Sequence, residues 1–339
     1  MHNQTIIGES ALLNQALEQL SHIAPLQKPV LIIGERGTGK ELIAERLHFL
    51  SLRWEKPFLK LNCAALSDNL LESTLFGHEA GAFTGATKSS RGYFERASEG
   101  TLFLDELATV STRVQEKLLR VIEYGEFERL GGQQPLQCDV RIVAATNADL
   151  PAMSAAGEFR ADLLDRLAFD VINLAPLRYR QEDILLLAES FAIAMSRELE
   201  REVFHGFSTQ AQHQLLSYSW PGNIRELKNA VQRSVYRQQD ADTPLAEIVL
   251  DPFATPWQEK KPVEGTTQAL PVTTPPEPEN CGLKAQVSAL EQQLIASALR
   301  QQHYHQSNSA KALGISYHQM RAYLKKYPHL LTASGAIRA

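Results

Sequence analysis

The feature that most constrains the fold is a glycine-rich segment placed directly after an apolar run. Pro29–Ile33 is apolar and suited to a buried strand, and Gly34-Glu35-Arg36-Gly37-Thr38-Gly39-Lys40 follows it and opens a helical pattern. Glycines allow backbone N–H groups to wrap an anion, and the lysine adds a point charge. A strand, this loop and a helix in that order predict an α/β protein that binds nucleotide phosphates.

One position departs from the usual form of such a loop. The residue after the lysine is Glu41, where a serine or threonine would normally supply a hydroxyl ligand to magnesium. We therefore expect the metal to rely on water, on the nucleotide and on a carboxylate from another part of the chain.

A second apolar run supplies that carboxylate. Thr101–Asp105 ends in an acid and is followed by Glu106, which places two carboxylates at the carboxyl edge of a parallel sheet, where ligands bind. Asp105 is predicted to hold Mg²⁺, directly or through water. Glu106 is predicted to orient and polarise the attacking water.

Short β-rich runs alternate with helical patterns up to residue 175, and only helical patterns follow to residue 250. Continuous apolar runs suit strands that are buried on both faces, so we predict a doubly wound parallel sheet at 1–175 and a small α-helical lid at 176–250. The predicted strands are Pro29–Ile33, Phe58–Asn62, Thr101–Asp105, Val140–Thr146 and Phe169–Leu174, and the predicted lid helices are Ile184–Leu199, Ser208–Tyr218 and Asn223–Tyr236.

Composition divides the remainder of the chain. Residues 251–282 contain seven prolines among Thr and Glu, which predicts a solvated linker. Residues 1–250 carry a net charge of −8 and residues 283–339 a net charge of +6. A basic tail on an acidic body indicates a nucleic-acid contact at one end.

Three cysteines lie far apart, at Cys63, Cys138 and Cys281, so neither a short-spaced zinc motif nor a disulfide framework is expected. No apolar run reaches the roughly 18 residues of a membrane span, and no signal peptide precedes the core. We expect a cytoplasmic protein that does not insert directly into a membrane.

The hexapeptide Gly81-Ala82-Phe83-Thr84-Gly85-Ala86, which follows Leu75-Phe76-Gly77-His78-Glu79, carries a family resemblance. Between the phosphate loop and Asp105-Glu106, it resembles the signature of bacterial enhancer-binding proteins, which are AAA+ ATPases that activate sigma-54 RNA polymerase. The resemblance implies ATP and Mg²⁺ as cofactors and a loop that contacts sigma-54. Its glycines permit a sharp hairpin, with Phe83 and Thr84 at an apolar tip.

The resemblance also implies roles for other positions. Asn62 would restrain the catalytic glutamate, and Thr146-Asn147 would sense the γ-phosphate. Arg160 and Arg166 would act as arginine fingers on the next subunit. The guanidinium group suits this role because it is planar and permanently charged. Such fingers raise the rate of hydrolysis by about 10³–10⁵-fold. Arg225 would face the nucleotide from the lid. The remaining implied nucleotide contacts are Gly34, Glu35, Arg36, Gly37, Thr38, Gly39, Lys40 and Glu41.

Plain structural roles stay open for these positions. Each arginine also suits a surface ion pair, and Asn62 and Asn147 also suit turns at strand ends. If a neighbour supplies the fingers, a ring of identical subunits follows, a hexamer by family analogy. Residues 123–134 resemble the family's second pore-side loop and equally suit an ordinary β-hairpin.

The tail resembles a Fis-type helix-turn-helix. Leu283–Gln302 carries one apolar stripe suited to pairing with a second copy, and Gly314 and Ser316 suit a tight turn and a helix cap. Met320 and Leu324 are expected to point inward. The residues expected to reach upstream enhancer DNA are Ser316, Tyr317, His318, Gln319, Arg321 and Lys325, with Lys326 beside them. A helical hairpin for protein contact is the alternative.

The predicted core begins by about Ile6, which leaves no room for a receiver domain, so we expect a separate protein to control the activity. Arg36-Gly37-Thr38 and Ser51-Leu52-Arg53-Trp54 resemble the activators of phage shock operons. That resemblance implies repression by phage shock protein A. Trp54 is the candidate contact for this partner, and a buried anchor is the alternative.

Two other functions share part of this pattern. An AAA+ remodelling chaperone or helicase loader would have the ATP site but neither the hexapeptide nor a DNA-binding tail. A passive transcription factor with a vestigial nucleotide site would not hydrolyse ATP under any assembly condition.

Overall fold

The computed structural model describes residues 6–253, 288, 291–292, 294–299 and 305–328. The chain falls into two compact units, Met1–Ala254 and Thr255–Ala339, which are treated separately below. Most of the proline-rich segment predicted as a linker lies outside the described residues, as does Cys281. The finer division of the chain at residues 175, 250 and 282 stays a prediction.

The first unit is built on a five-stranded parallel sheet in the order β2-β3-β6-β1-β7. Each predicted strand is present, with ends that differ by at most two residues, and the predicted parallel α/β core is confirmed. The strands are β1 (Val30–Gly34), β2 (Phe58–Asn62), β3 (Thr101–Asp105), β4 (Glu126–Glu128), β5 (Pro135–Gln137), β6 (Arg141–Thr146) and β7 (Val171–Leu174), of which β4 and β5 form a separate antiparallel hairpin.

The described helices are α1 (Ala11–Ile23), α2 (Lys40–Phe49), α3 (Asp68–Phe76), α4 (Tyr93–Arg96), α5 (Thr112–Tyr124), α6 (Leu150–Ala155), α7 (Ala161–Leu167), α8 (Gln181–Glu198), α9 (Thr209–Ser217), α10 (Asn223–Arg237), α11 (Gln306–Ala312) and α12 (Tyr317–Lys326). Among the described residues, no helix is long and apolar enough to cross a membrane.

Both faces of the sheet are covered, as the continuous apolar strands require. In β1, Val30 and Ile32 pack into a cluster with Leu20 of α1 and Leu47 of α2. Leu31, between them, packs on the opposite face, in the cluster that contains residues of α3, α5 and α7. Because successive side chains of a strand alternate in direction, this single run anchors both layers.

Helices α8, α9 and α10 form the predicted helical lid around one apolar cluster. The cluster includes Trp220, which is fully buried and whose indole N–H donates to the Leu215 carbonyl at 2.8 Å. A buried tryptophan with its one donor satisfied contributes a large apolar area without an unpaired polar group. The lid therefore has a core of its own.

The second unit contains the predicted helix-turn-helix, α11 and α12. Gly314 adopts a φ of +66° in the turn, and Met320 and Leu324 point inward as predicted. Ile295 and Leu299 pack in the same cluster. Part of the stripe expected to pair with a second copy is therefore used inside the unit; Leu283, Val287 and Leu290 of that stripe lie outside the described residues.

Candidate functional site

The phosphate loop connects β1 to α2, and two of its side chains donate hydrogen bonds to carbonyl groups of the same loop. Gly37 and Gly39 have φ values of +81° and +97°, a conformation that favours glycine. The Lys40 ammonium, whose residue is only 8 % exposed, donates to the carbonyls of Gly34 at 2.9 Å and Glu35 at 3.1 Å. The Thr38 hydroxyl also donates to the Glu35 carbonyl, at 2.9 Å.

The charge of Lys40 is set by opposing influences. Burial lowers the pKa of its ammonium, while the nearby Asp105 and Glu106 carboxylates raise that pKa. The predicted acids and the predicted lysine are therefore electrostatic neighbours at the carboxyl edge of the sheet.

The backbone at Glu106, the residue after Asp105, is held in an unusual conformation. Glu106 has a φ of +53°, a strained conformation for a residue with a side chain, and its N–H donates to Asp105 Oδ1 at 3.0 Å. Asn62 is the register partner of Asp105. Its side-chain oxygen accepts the Ala64 N–H at 2.9 Å, so it caps a turn here, and its restraint of Glu106 stays a prediction.

Magnesium fits this donor set. Among the described residues, no group of three or more His, Cys, Asp or Glu is placed to hold a metal ion. Mg²⁺ needs no such cage, because it commonly takes one or two carboxylates and completes its shell with phosphate oxygens and water. Asp105 and Glu106, beside the phosphate loop, match that requirement.

The predicted γ-phosphate sensor lies at the same edge. Thr146 ends β6 and is the register partner of Ile33 in β1. It is buried, and its hydroxyl accepts the Ala148 N–H at 3.0 Å. Asn147 follows it and is exposed. The backbone thus places Asn147 at the end of the strand next to the phosphate loop.

The lid is hydrogen-bonded directly to the phosphate loop. The Ile224 N–H donates to the Gly37 carbonyl at 3.0 Å, and the Asn223 amide donates to the Arg36 carbonyl at 3.0 Å. Arg225, the predicted lid sensor, begins beside the loop, since a Cβ placed on Gly37 would lie 3.2 Å from the Arg225 Cβ. The backbone of Arg225 thus lies next to the loop, and its role as a nucleotide sensor stays a prediction.

Sequence reasoning missed two residues of this junction. Arg178 forms a two-pronged ion pair with the Glu35 carboxylate, at 2.8 and 2.6 Å, and the Asn223 amide donates to the same carboxylate at 3.2 Å. These hydrogen bonds lower the pKa of Glu35 to about 2. Asn223 lies two residues before the predicted lid sensor Arg225, so the sequence marked its segment but not this side chain, whereas nothing in the sequence marked Arg178.

A cavity of about 300 Å³ adjoins the phosphate loop between the core and the lid. Its lining is mostly apolar and includes Ile7, Leu42, Phe191 and Ile224, with Thr38 at the loop end. An apolar cleft with a few polar groups at one end is the usual form of a small-molecule site. This cleft suits a nucleotide base whose phosphates lie on the loop.

Of the two predicted arginine fingers, Arg160 immediately precedes α7 and Arg166 lies in its last turn, and both are paired with acids within the chain. Arg160 contacts Glu116 at 3.0 Å and Asp162 at 2.7 Å. Arg166 contacts Glu123 at 2.7 Å. The two arginine side chains are 33 % and 55 % exposed, so both ion pairs lie on a surface that another copy can approach. Their catalytic role stays a prediction.

The hexapeptide forms the predicted hairpin with an exposed tip. The Gly81 N–H donates to the Ala86 carbonyl at 2.7 Å, and Gly81 and Gly85 have φ values of +85° and +104°. Phe83 is 45 % exposed, with its ring edge-on to His78 at a centroid distance of 5.0 Å. Thr84 is exposed beside it. The tip is therefore available to a partner.

The second predicted loop packs beside the first. Residues 126–137 form the β4–β5 hairpin, slightly later in the chain than predicted. Leu130 accepts the Glu79 N–H at 2.9 Å, and a Cβ placed on Gly131 would lie 2.9 Å from the Ala82 Cβ. Arg129 pairs with Glu79 at the base of the first loop. The two loops are therefore in direct contact.

The helix-turn-helix presents an exposed polar face at the start of α12. Tyr317, His318, Arg321 and Lys325 are exposed. Ser316 and Gln319 instead bond each other, with Ser316 N–H to Gln319 Oε1 at 2.9 Å and Gln319 N–H to Ser316 Oγ at 3.2 Å. This capping box fixes the start of the helix. The predicted base contacts of Ser316 and Gln319 would require their side chains to leave these bonds.

Comparison with known proteins decides the family. The model of the sigma-54 interaction domain matches residues 6–173, that of the AAA+ ATPase lid domain matches residues 178–262, and that of the Fis family of bacterial regulatory proteins matches residues 286–327. The Psp operon transcriptional activator of Escherichia coli (strain K12) is 59% identical over 326 residues, which are 96% of this chain and 98% of that protein. The chain belongs to the sigma-54-dependent transcriptional activators.

Other members of the family agree. The regulatory protein AtoC of Escherichia coli (strain K12) is 43% identical over 95% of this chain and 67% of its own. The crystal structure of NtrX from Brucella abortus in complex with ATP is similar with a TM-score of 0.68, at 29% sequence identity over 95% of this chain and 69% of that one. The chain is accordingly a nucleotide-binding ATPase that activates sigma-54-dependent transcription and carries a DNA-binding unit.

One exposed aromatic residue of this activator lies away from the ATP site. Trp54 lies in the turn between α2 and β2 and is 57 % exposed. Leu52, two residues earlier, is more exposed still, and Phe49 and Leu50 are exposed at the end of α2. The alternative that Trp54 is a buried anchor is wrong.

Proposed function

We propose that the chain activates a phage shock operon as a ring of identical subunits that hydrolyse ATP at shared sites. It binds upstream enhancer DNA and converts closed promoter complexes of sigma-54 RNA polymerase into open ones. The observation that carries this proposal is the exposed Phe83-Thr84 tip on a protein that also holds a phosphate loop. Identity of 59% to the Psp operon transcriptional activator over nearly the whole chain supports the choice of operon.

Within one subunit, the residues divide the chemistry of hydrolysis. The loop N–H groups and Lys40 hold the phosphates, Asp105 holds Mg²⁺, and Glu106 polarises the attacking water. Mg²⁺ supplies positive charge against the negative charge that develops on the phosphoryl oxygens. Asn147 contacts the γ-phosphate, and Asn62 restrains Glu106 until the loop carries the correct nucleotide.

A neighbouring subunit completes the site. Arg160 is partly exposed and Arg166 is exposed, and both are paired with acids of α5. Each exchanges its acid partner for phosphate oxygens of the adjacent copy. Such exchange costs little, because exposed ion pairs contribute only about 0–1 kcal/mol. The ring is a hexamer by family analogy, and the Phe83-Thr84 loop of each subunit moves with the state of the shared site.

The second unit directs the ring to its promoter. Tyr317, His318 and Arg321 read base edges, and Lys325 contacts phosphates, with α12 in the major groove. Because its template and its polymerase are in the cytoplasm, the protein acts there, without direct insertion into a membrane.

Control comes from a separate repressor, phage shock protein A, through the exposed turn at Trp54. Tryptophan is enriched among the residues that contribute most to protein interfaces, and contiguous exposed apolar side chains mark interaction sites. Trp54→Ala is expected to abolish repressor inhibition of ATP hydrolysis. Tyr236→Ala, at another exposed aromatic residue, is the matched control. Unchanged inhibition of the Trp54 variant would exclude this contact.

A promoter-opening assay tests the proposed function. Purified protein, sigma-54 RNA polymerase and a supercoiled promoter with its enhancer are combined with ATP or with ADP, and open complexes are counted by permanganate footprinting. Opening with ATP alone is expected. Opening without ATP would favour the passive transcription factor, and hydrolysis without opening would favour a remodelling ATPase for another substrate.

A further inference from the structure

We propose that Glu35, Arg178 and Asn223, here named the lid clamp, transmit the state of the phosphate loop to the lid. The inference rests on the proposed use of Lys40 to hold nucleotide phosphates. It assigns positioning roles to Arg178, in the hinge between the core and the lid, and to Asn223, at the start of α10 in the lid.

The backbone carbonyl and the side-chain carboxylate of Glu35 accept hydrogen bonds from different partners. Its backbone carbonyl accepts the Lys40 ammonium at 3.1 Å and the Thr38 hydroxyl at 2.9 Å. Its side-chain carboxylate accepts both terminal nitrogens of Arg178 and the Asn223 amide. One residue of the phosphate loop is therefore bonded to the phosphate-binding lysine on one side and to the lid on the other.

Asn223 joins three segments with a single side chain. Its amide nitrogen donates to Glu35 and to the Arg36 carbonyl. Its amide oxygen accepts the N–H of Leu177 at 2.8 Å, in the short turn between β7 and α8. Asn223 is fully buried and has a φ of +52°, a conformation that asparagine tolerates better than most residues. The loop, the hinge and the start of α10 are thus tied at one point.

Lys40 cannot give the same protons to loop carbonyls and to a phosphate. An anion that draws the ammonium away leaves the Glu35 carbonyl with Thr38 as its remaining donor, and the backbone at Glu35 is then free to rotate. Because the same residue is bonded to Arg178 and Asn223, this rotation is passed to the lid. The Ile224 N–H on the Gly37 carbonyl is a second point through which the movement reaches α10.

Arg178 also neutralises a negative charge near the phosphate site. Glu35 puts a carboxylate, 42 % exposed, in a loop that must bind negatively charged phosphates. The planar fork of Arg178 neutralises this carboxylate and fixes its direction, as a lysine in that position would not. Loss of Arg178 would release the lid and leave the Glu35 carboxylate with the Asn223 amide as its remaining side-chain donor, with solvent screening its charge from the phosphates.

Amide hydrogen exchange on the full-length protein, with and without Mg²⁺ and ADP, tests the clamp. In the wild type, ADP is expected to change the exchange rates of the Leu177 and Ile224 amides. In Arg178→Gln and in Asn223→Gly, where glycine accepts the backbone conformation, ADP is expected to bind with an affinity within about tenfold of wild type. The ADP-dependent change at these two amides is expected to disappear.

Steady-state hydrolysis supplies a second readout. Arg178→Gln is expected to lower kcat by about tenfold or more with a smaller change in KM, because the clamp positions the lid rather than holding substrate. Arg178→Lys keeps the charge without the fork and is expected to be intermediate. Arg237→Gln, which removes an exposed charge at the far end of α10, is the control and should behave as wild type.

The outcomes separate the clamp from the proposed function. A wild-type ADP response at Leu177 and Ile224 in both Arg178→Gln and Asn223→Gly would overturn the clamp and leave the nucleotide site intact. Absence of ADP binding by the wild type would instead overturn the nucleotide role of the loop. If Arg178→Gln does not fold, Glu35→Gln, which keeps the side-chain shape, must show the same loss of response for the clamp to stand.

Discussion

Gly37 in the phosphate loop and Gly222 in the lid approach so closely that a Cβ on Gly37 would lie 2.4 Å from the Gly222 carbonyl oxygen. Gly37 also has a φ of +81°. Its lack of a side chain therefore serves two purposes, since it permits the loop conformation and admits the lid. Contact between the loop and the lid depends on this glycine.

Gly37→Ala is expected to weaken ADP binding by at least about tenfold, an effect of about 1.4 kcal/mol, because an added Cβ 2.4 Å from the Gly222 carbonyl oxygen must displace the backbone of the phosphate loop as well as the lid. Isothermal titration calorimetry measures this change. Gly157→Ala is the matched control: Gly157 has a φ of +75° with no atom within 4 Å of an added Cβ. It should cost only the conformational strain of about 1–2 kcal/mol in unfolding free energy. Equal ADP affinity in the two variants would refute the steric argument.

Acid should weaken the link between Glu35 and Arg178. The pKa of Glu35 is lowered from 4.5 to about 2 by hydrogen bonds from Arg178 and Asn223. Because the folded-state pKa lies below the unfolded-state pKa, the contribution to stability is complete above about pH 4.5 and is lost as the pH falls toward 2. In urea unfolding, the stability difference between wild type and Glu35→Gln should shrink from pH 6 to pH 3.

The size of this pH effect will be modest, since the carboxylate is partly exposed and solvent screens the pair. Glu18→Gln, on the exposed face of α1, is the control and should show a smaller dependence. A difference between wild type and Glu35→Gln that grows toward pH 3 would contradict the assigned ion pair.

Thr84→Ala should separate ATP hydrolysis from promoter opening. The Thr84 hydroxyl lies on an exposed tip and takes no part in the ATP site that contains Lys40 and Asp105. ATPase activity should therefore stay within about threefold of wild type, while open-complex formation falls by at least about tenfold. Thr87→Ala, three residues along on the same exposed loop, is the matched control. Full promoter opening by Thr84→Ala would exclude the tip as the sigma-54 contact.

Two adjacent lysines should contribute unequally to DNA binding. Lys326 pairs with Glu291 at 3.0 Å, whereas Lys325 is exposed and makes no ion pair among the described residues. Lys325→Ala should therefore weaken enhancer binding and reduce the slope of log affinity against log salt by about 1. Lys326→Ala should have the smaller effect on that slope, measured by fluorescence anisotropy. The reverse order would contradict the phosphate role of Lys325.

The strands and the phosphate loop were predictable because their signals are local. Val30–Ile33 is apolar throughout, and the glycines and the lysine follow without interruption. Parallel topology then brings Asp105 and Thr146 to the same edge of the sheet, so functional residues at the ends of separate strands lie close together. The fold of the ATP site was therefore legible from the sequence.

The junction with the lid was not predictable in the same way. Arg178 and Glu35 are 143 positions apart, and nothing near Arg178 marks it as a partner of the loop. The turn at Trp54 shows a second limit: a tryptophan in a polar segment suits a buried anchor as well as an interface, and only its solvent exposure excludes the buried anchor. Contacts between residues that are far apart in the sequence cannot be predicted from local sequence patterns.

The shared active site is the centre of this account, and a mixing experiment tests it directly. Lys40→Ala should remove nucleotide binding, and Arg166→Ala should remove the finger, so each variant alone should show less than about a tenth of wild-type ATPase activity. In a mixture, some interfaces join an intact phosphate loop of one subunit to an intact Arg166 of the other. ATPase activity above that of either variant is predicted, and its absence at every ratio and concentration, when both variants assemble, would contradict hydrolysis between subunits.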